Sequence, residues 1–418
     1  MARALVLFEK QIERELNYRI HEMRGLLSSL HIEDEIIVVR IDNVSKSSYI
    51  GKGSIENIRQ YIEYEDAGDK PFDFVITDFN LTGMQKENLE EAFNKTIYDR
   101  NMVILKVFES RARTKESKLQ VEIAKLQYQA SQLVNKDANY SQVTSGSGHN
   151  KGSGEKEKEL SKRRIYEGIH RKKKELEEIK KSRKTARNLR KNNEIPTIAI
   201  VGYTNAGKST LVNYFLEKTK SSSDKLLYSE DIVFATLETS TRLINIYGYP
   251  SFLLTDTVGF MRDLPHFLIK AFRSTLEEIK EADLIVHVVD ISDEDYLERI
   301  EITNDVLRTL GADSIQKIML YNKCDLIDNN YPFLPKKDEM FISLMDKEQD
   351  MSSILQFILK WACNGWKKHK FVIPYEENYA SFMFRNLVIN QIEKEDGIHC
   401  TALVCPKYFD YYSKYLIS

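Results

Sequence analysis

Three hydrophobic rhythms succeed one another along the chain. Up to residue 108, short β-branched runs at Glu35–Ile41, Phe72–Thr77 and Met102–Phe108 alternate with helix-length polar stretches, which predicts a small α/β domain with a mostly parallel sheet. From Arg111 the period changes. Leu119, Ile123, Leu126, Ala130 and Leu133 recur at steps of four and three, and Ile165, Ile169, Leu176, Ile179, Ala186 and Leu189 form a second, less regular stripe. Such seams predict two helices that pack together. The intervening Ser141–Gly154 stretch is rich in Ser and Gly, so residues 109–194 read as an antiparallel hairpin with a flexible tip near 136–155.

Pro196 marks the next boundary. Beyond it, strand candidates at Thr197–Val201, Arg242–Tyr247, Phe252–Thr255, Leu284–Val289, Lys317–Tyr321 and Met340–Ile342 alternate with helix-length segments. This is the pattern of a doubly wound α/β domain over 195–366. The last stretch, 367–418, offers a strand at Phe371–Ile373, a helix over Ser381–Glu393 and a strand at Ile398–Val404, a small α+β domain. The fold class expected is multidomain α/β.

Composition narrows the picture in two ways. The 418 residues are 42% hydrophobic and 30% charged, ordinary for a water-soluble chain of several domains, and the net charge is −2. That balance conceals a segregation: Lys151–Lys191 holds 17 Lys and Arg against 7 Asp and Glu. Arg163, Arg164, Arg171, Lys172, Lys173 and Lys174 are therefore candidate RNA-binding residues. A solvated helix face is the simpler alternative. The four cysteines lack metal-ligand spacing, no stretch approaches a membrane span, and the N-terminal apolar run is too short for a signal peptide. A cytoplasmic monomer with no membrane partner is the expectation.

The sharpest chemical signal is Gly202-Tyr203-Thr204-Asn205-Ala206-Gly207-Lys208-Ser209-Thr210. It lies between a predicted strand and a predicted helix, the context a phosphate loop needs. Glycines let successive N–H groups face one anion, Lys208 adds a point charge, and the Ser209 hydroxyl suits Mg²⁺. Downstream, Asp256-Thr257-Val258-Gly259 closes a strand where a carboxylate can face the metal through water and the Gly259 amide can meet a terminal phosphate. Asn322-Lys323-Cys324-Asp325 ends another strand, and the Asp325 carboxylate can accept from both N1–H and N2–H₂ of guanine, which adenine does not offer. Between the loop and Asp256, Phe234–Arg242 contains four hydroxyl residues, any of which is a candidate metal ligand. Ser343-Leu344 ends a strand where backbone amides would read the guanine carbonyl.

With these motifs the chain resembles the HflX family of ribosome-associated GTPases over nearly its whole length. The phosphate loop, Phe234-Ala235-Thr236-Leu237-Glu238, Asp256-Thr257-Val258-Gly259-Phe260 and Asn322-Lys323-Cys324-Asp325 carry the likeness. Tyr49–Gly53, Asp99-Arg100, Arg111–Thr114, Lys118–Glu122 and Glu393–Gly397 carry it outside the nucleotide domain. The resemblance implies a Mg²⁺-dependent GTPase with Thr236 as the switch threonine on the metal and Ser343-Leu344 at the guanine. It also implies binding to the large ribosomal subunit and its RNA, and splitting of idle or stalled ribosomes, antibiotic-stalled ones included. A GTP-dependent ribosome or RNA adaptor without splitting activity is the alternative. Asn205 raises K⁺ at the phosphate loop as a further cofactor. Phe260 stands where Ras-like enzymes place the water-orienting glutamine, so the catalytic side chain is left unassigned.

Overall fold

The computed structural model describes residues 2–143, 151–191, 195–219, 240–257, 259–262, 265, 267–268, 277–327, 331–346 and 351–417. Contacts divide the chain into two units, one built mainly from residues 1–179 and the other mainly from residues 180–418.

The first unit is built on a four-stranded parallel sheet, β1 (Ala2–Glu9), β2 (Ile32–Val39), β3 (Phe74–Thr77) and β4 (Thr96–Asp99), in the order β2-β1-β3-β4. Helices α1 (Glu13–Ser29), α2 (Lys52–Asp66) and α3 (Gly83–Phe93) make the crossovers. Leu5 and Leu7 of β1 pack with Ile58, Ile62, Leu89 and Phe93, while the alternate residues Ala4, Val6 and Phe8 are also buried. Burial on both faces explains why β1 is a continuous apolar run and why it sits centrally.

The expected strand at Met102–Phe108 is instead part of helix α4 (Arg100–Arg111). Val103, Ile104, Leu105, Val107 and Phe108 are all buried, and between Met102 and Phe108 only Lys106 is polar, so the run is too short of polar positions to show a helical period and reads equally as a buried strand. The deciding residue is Asp99, whose carboxylate caps the helix by accepting from the Met102 amide at 2.9 Å. Helices α5 (Lys115–Val143) and α6 (Lys151–Lys191) follow. Ile123, Ile169 and Leu176 are buried together with Leu126 and Ile165 against them. The pairs Lys115–Glu175 at 2.8 Å and Lys172–Glu122 run in opposite sequence directions, so the two helices are antiparallel. Of the tip expected near 136–155, residues 136–143 and 151–155 are helical backbone, and residues 144–150 lie outside the described residues. The side chains of Ala186 and Leu189 lie outside the described residues.

The second unit carries a six-stranded sheet of β5 (Thr197–Val201), β6 (Ser240–Ile244), β7 (Phe252–Asp256), β8 (Leu284–Asp290), β9 (Lys317–Asn322) and β10 (Glu339–Phe341). Their order is β10-β9-β8-β5-β7-β6, all parallel except β6, which runs against β7. Helices α7 (Lys208–Lys218) and α9 (Met351–Ala362) pack on one face through Leu211, Phe215, Ile354 and Ile358. Helix α8 (Tyr296–Leu310) covers the other through Val306, Leu307 and Leu310. This is the doubly wound arrangement, with β5 central and its carboxyl end open to a ligand.

A three-stranded antiparallel sheet follows, β11 (Lys367–Ile373), β12 (Asn386–Lys394) and β13 (Gly397–Val404) in the order β11-β13-β12, with short helical turns from Pro406 to Tyr415 after it. The helix expected over Ser381–Glu393 stops early. Helix α10 spans Tyr379–Arg385, and the chain then turns into β12. Asn386 makes the turn: its amide donates to the Phe382 carbonyl at 3.1 Å and its oxygen accepts from the Cys405 amide at 3.2 Å. Both groups are buried, so the strand start is fixed by polar satisfaction rather than by an apolar period.

Candidate nucleotide site

The loop between β5 and α7 places residues 202–207 at the open end of the sheet, and Gly207 immediately precedes the first turn of α7. Gly202 has a φ of 147°, and a Cβ there would lie 2.2 Å from the Val288 carbonyl oxygen of β8. No other residue fits so close to the neighbouring strand. Asn205 also takes a left-handed conformation, with φ of 63°. Lys208 is buried, and its ammonium donates to the Tyr203 carbonyl at 2.5 Å. Burial pulls the Lys208 pKa down to about 8, with Asp256 opposing the shift. Ser209 and Thr210 lie half-buried in the first turn of α7.

The second motif is stitched to the first. Asp256 ends β7 and is buried. The Thr257 hydroxyl donates to the Ile200 carbonyl at 2.6 Å. Two main-chain bonds follow, from the Phe260 amide to the Gly202 carbonyl at 3.1 Å and from the Thr204 amide to the Phe260 carbonyl at 2.8 Å. Gly259 lies so close to the loop that a Cβ would meet Thr204 Cγ2 at 2.9 Å and Lys208 Nζ at 3.0 Å. Phe260 is 1% exposed and packs with Ala199, Val201, Ile279, Ala282 and Ile285. Its side chain is a core anchor, so water activation is not its task. Val258 and the whole expected first switch, Phe234, Ala235, Thr236, Leu237 and Glu238, lie outside the described residues.

The guanine motif divides its labour. Asn322 is buried and braces two loops, donating to the Ala206 carbonyl at 2.9 Å and accepting from the Leu344 amide at 3.1 Å. Lys323 takes a φ of 64° and pairs with Asp290 at 2.7 Å. Asp290 also accepts from the Ser292 amide and hydroxyl at 3.1 and 2.6 Å. Asp325 stands exposed in the 3-10 turn Cys324–Ile327, available to a base. Ser343 is buried, its hydroxyl accepting from the Asp346 amide at 3.2 Å, and Leu344 is half-buried beside it. Among the residues expected at the guanine, Asn322 and Lys323 thus act as braces and Asp325 is the one presented outward.

Two further residues were not signalled by any motif. His287 of β8 is buried, with its Nδ1 lacking a hydrogen-bond partner among the described residues. Burial, with Lys317 and Lys208 nearby, holds its pKa down to about 3, so the ring is neutral. Arg299 of α8 lies over the Tyr203 ring, 5.0 Å from its centre. Together with Thr204 and Asp290 they line a cavity of about 10 Å³ beneath the loop, roughly the room one water needs. Only the position of Asp290, at the carboxyl end of a central strand, could have been read beforehand.

For Mg²⁺, the donor set fits. The Ser209 hydroxyl and the Asp256 carboxylate are hard oxygen donors on elements that both open at the carboxyl edge of the sheet. A phosphate loop, a DxxG turn held against it and an NKxD brace define a P-loop GTPase with guanine specificity.

Comparison with known proteins agrees. Three family models match: GTP-binding GTPase N-terminal over 17–109, GTP-binding GTPase Middle Region over 111–190, and 50S ribosome-binding GTPase over 197–323. The GTPase HflX of Lacrimispora saccharolytica is 42% identical over 379 residues, covering 90% of this chain and 86% of its own. That of Caldanaerobacter subterraneus subsp. tengcongensis is 38% identical over 372, covering 88% and 83%. That of Escherichia coli strain K12 is 34% identical over 321, covering 77% and 72%. A solved GTP-binding protein of Sulfolobus solfataricus in complex with GDP aligns with 87% of this chain and 99% of its own at 21% identity and a TM-score of 0.46. The chain belongs to the HflX GTPase family, and it binds and hydrolyses GTP.

Proposed function

We propose that this GTPase binds the large ribosomal subunit through its RNA and, under control of the bound nucleotide, splits idle or stalled ribosomes. The observation that carries the reading is the cationic face of α6. Arg163, Arg164, Arg171, Lys173 and Lys174 are exposed, and Lys172 is half-buried beside Glu122. A helix that is cationic on its open face while its apolar stripe is spent on α5 suits a phosphate backbone better than a lipid surface. The family description of the nucleotide domain, a 50S ribosome-binding GTPase, supports the same partner.

The parts are assigned accordingly: an α/β domain over 1–108, the basic hairpin over 109–194, the GTPase domain over 195–366 and a small α+β domain over 367–418. Bound Mg²⁺ supplies charge neutralisation of the phosphates, with Ser209 and Thr236 as its protein ligands. Within the protein, Lys208 and the loop amides hold the phosphates, and Asn322 keeps the loop and Leu344 in register. Asp325 selects guanine. Phe260 gives no group to orient water, so the ribosome would complete the site, and a K⁺ held at the phosphate loop with Asn205 would supply the positive charge an arginine brings elsewhere. Turnover then depends on K⁺, and equal rates in K⁺ and Na⁺ would remove that part of the reading.

Sedimentation with bacterial ribosomes tests the whole. A non-hydrolysable GTP analogue is expected to give co-migration and an increased ratio of subunits to intact particles, and GDP or an ATP analogue neither. Co-migration at an unchanged ratio would make this a binding adaptor instead.

A further inference from the structure

The phosphate loop needs a backbone amide at position 203 and asks nothing of its side chain, yet the Tyr203 side chain reaches from the loop to the chain beyond Gly259. Its ring is 5% exposed. Its hydroxyl accepts a hydrogen bond from the main-chain N–H of Arg262 at 2.7 Å, three residues beyond Gly259. Its carbonyl receives Lys208 at 2.5 Å, and its chain neighbours Gly202 and Thr204 bond the main chain of Phe260. Above the ring sits Arg299, itself fixed by an ion pair to Asp293, and the neighbouring Glu298 pairs with the Arg262 side chain at 3.5 Å.

Phe260 is tied to the loop by its own two main-chain bonds. The Tyr203 hydroxyl adds a second tie point at Arg262, so the turn through Gly259 is held at both Phe260 and Arg262 rather than hinged at one. We propose that Tyr203 is a positioning residue for GTP hydrolysis: its hydroxyl clamps the chain after Asp256-Thr257-Val258-Gly259 and so fixes the Gly259 amide for the terminal phosphate. The clamp serves the phosphate that GDP lacks. Loosening it therefore weakens the triphosphate state and its hydrolysis while leaving the diphosphate alone. This goes beyond the ribosomal reading and does not depend on it, because it concerns hydrolysis by the isolated protein.

The test is Tyr203→Phe, which keeps the ring under Arg299 and removes one hydroxyl. Affinities for GDP and for a non-hydrolysable GTP analogue are measured on the full chain, with single-turnover hydrolysis in the absence of ribosomes. GDP affinity is expected to stay within about twofold, which also certifies the fold. Analogue affinity and hydrolysis rate are each expected to fall about five- to tenfold, the weight of one buried hydrogen bond. Equal losses for both nucleotides would overturn the proposal, since the hydroxyl would then shape the loop as a whole. So would wild-type values for the analogue and for hydrolysis.

Discussion

The two parallel sheets of this protein invite comparison because they begin alike and end differently. Each has a central apolar strand, β1 or β5, with helices covering it and crossover connections on either side. At the carboxyl ends of β5, β7 and β9, small or backbone-bonded residues leave a cradle, lined by Gly202, Gly259 and Lys208. At the carboxyl ends of β3 and β4 the corresponding space is closed by charge. Arg100 pairs with Asp78 at 2.8 Å and with Glu22, Arg19 adds a second bond to Asp78 at 2.5 Å, and Asp99 faces Tyr128 of α5. Burial disfavours the Arg100 charge, but Glu22 and Asp78 outweigh it and raise its pKa. The lesson is that the same architecture gives a site or a sealed end according to what stands after the strands.

The comparison can be broken from either side. The largest expected effect is Arg100→Met, which leaves Asp78 and Glu22 buried without their common partner and should cost about 3–5 kcal/mol. Urea unfolding of the first unit should shift to lower denaturant while GTP hydrolysis in native buffer is retained. A loss of hydrolysis equal to the loss of stability would show that the sealed end serves the nucleotide site after all. Next is Gly202→Ala. Its Cβ would meet the Val288 carbonyl at a φ no alanine favours, and roughly a 100-fold loss of GDP affinity by titration is expected from strain of about 1–3 kcal/mol plus the clash. The first unit should melt as before.

The smallest effect distinguishes a titrating site from a sealed one. Because burial sets the Lys208 pKa near 8 against an ordinary 10.5, the amine must take up a proton to meet a phosphate above that pH. Nucleotide affinity should fall toward tenfold per unit as pH rises from 8 to 9. The same depressed pKa makes the charged lysine a cost to the nucleotide-free fold below pH 8, a cost relieved as pH rises from 8 towards 10.5. Flat affinity between pH 7 and 9 would contradict the shift.

Much of the nucleotide site was legible because its residues are constrained one by one. A glycine at 202, a lysine at 208 and an aspartate at 256 answer to backbone clearance and charge, which spacing preserves. Asn322 and Lys323 were legible as positions and not as roles: that Asn322 braces Ala206 and Leu344, and Lys323 meets Asp290, depends on long-range packing. Elements buried all round were the hardest to read. β1 lies within the short N-terminal apolar run, and α4 reads as a strand because Lys106 alone interrupts the apolar stretch from Met102 to Phe108. The turn at Asn386 was invisible for the opposite reason, since its cause is a pair of hydrogen bonds across the fold.

Phe260 carries a consequence for anyone wishing to freeze this molecule in its triphosphate form. In an enzyme with a glutamine at that place, one substitution stalls the reaction and leaves the scaffold intact. Here the side chain is part of the hydrophobic interior between β5, β8 and the helical layer, and Phe260→Ala would open a void costing about 3–5 kcal/mol. Freezing this enzyme in its triphosphate form therefore calls for a change away from residue 260, because the customary position has been given over to holding the protein together.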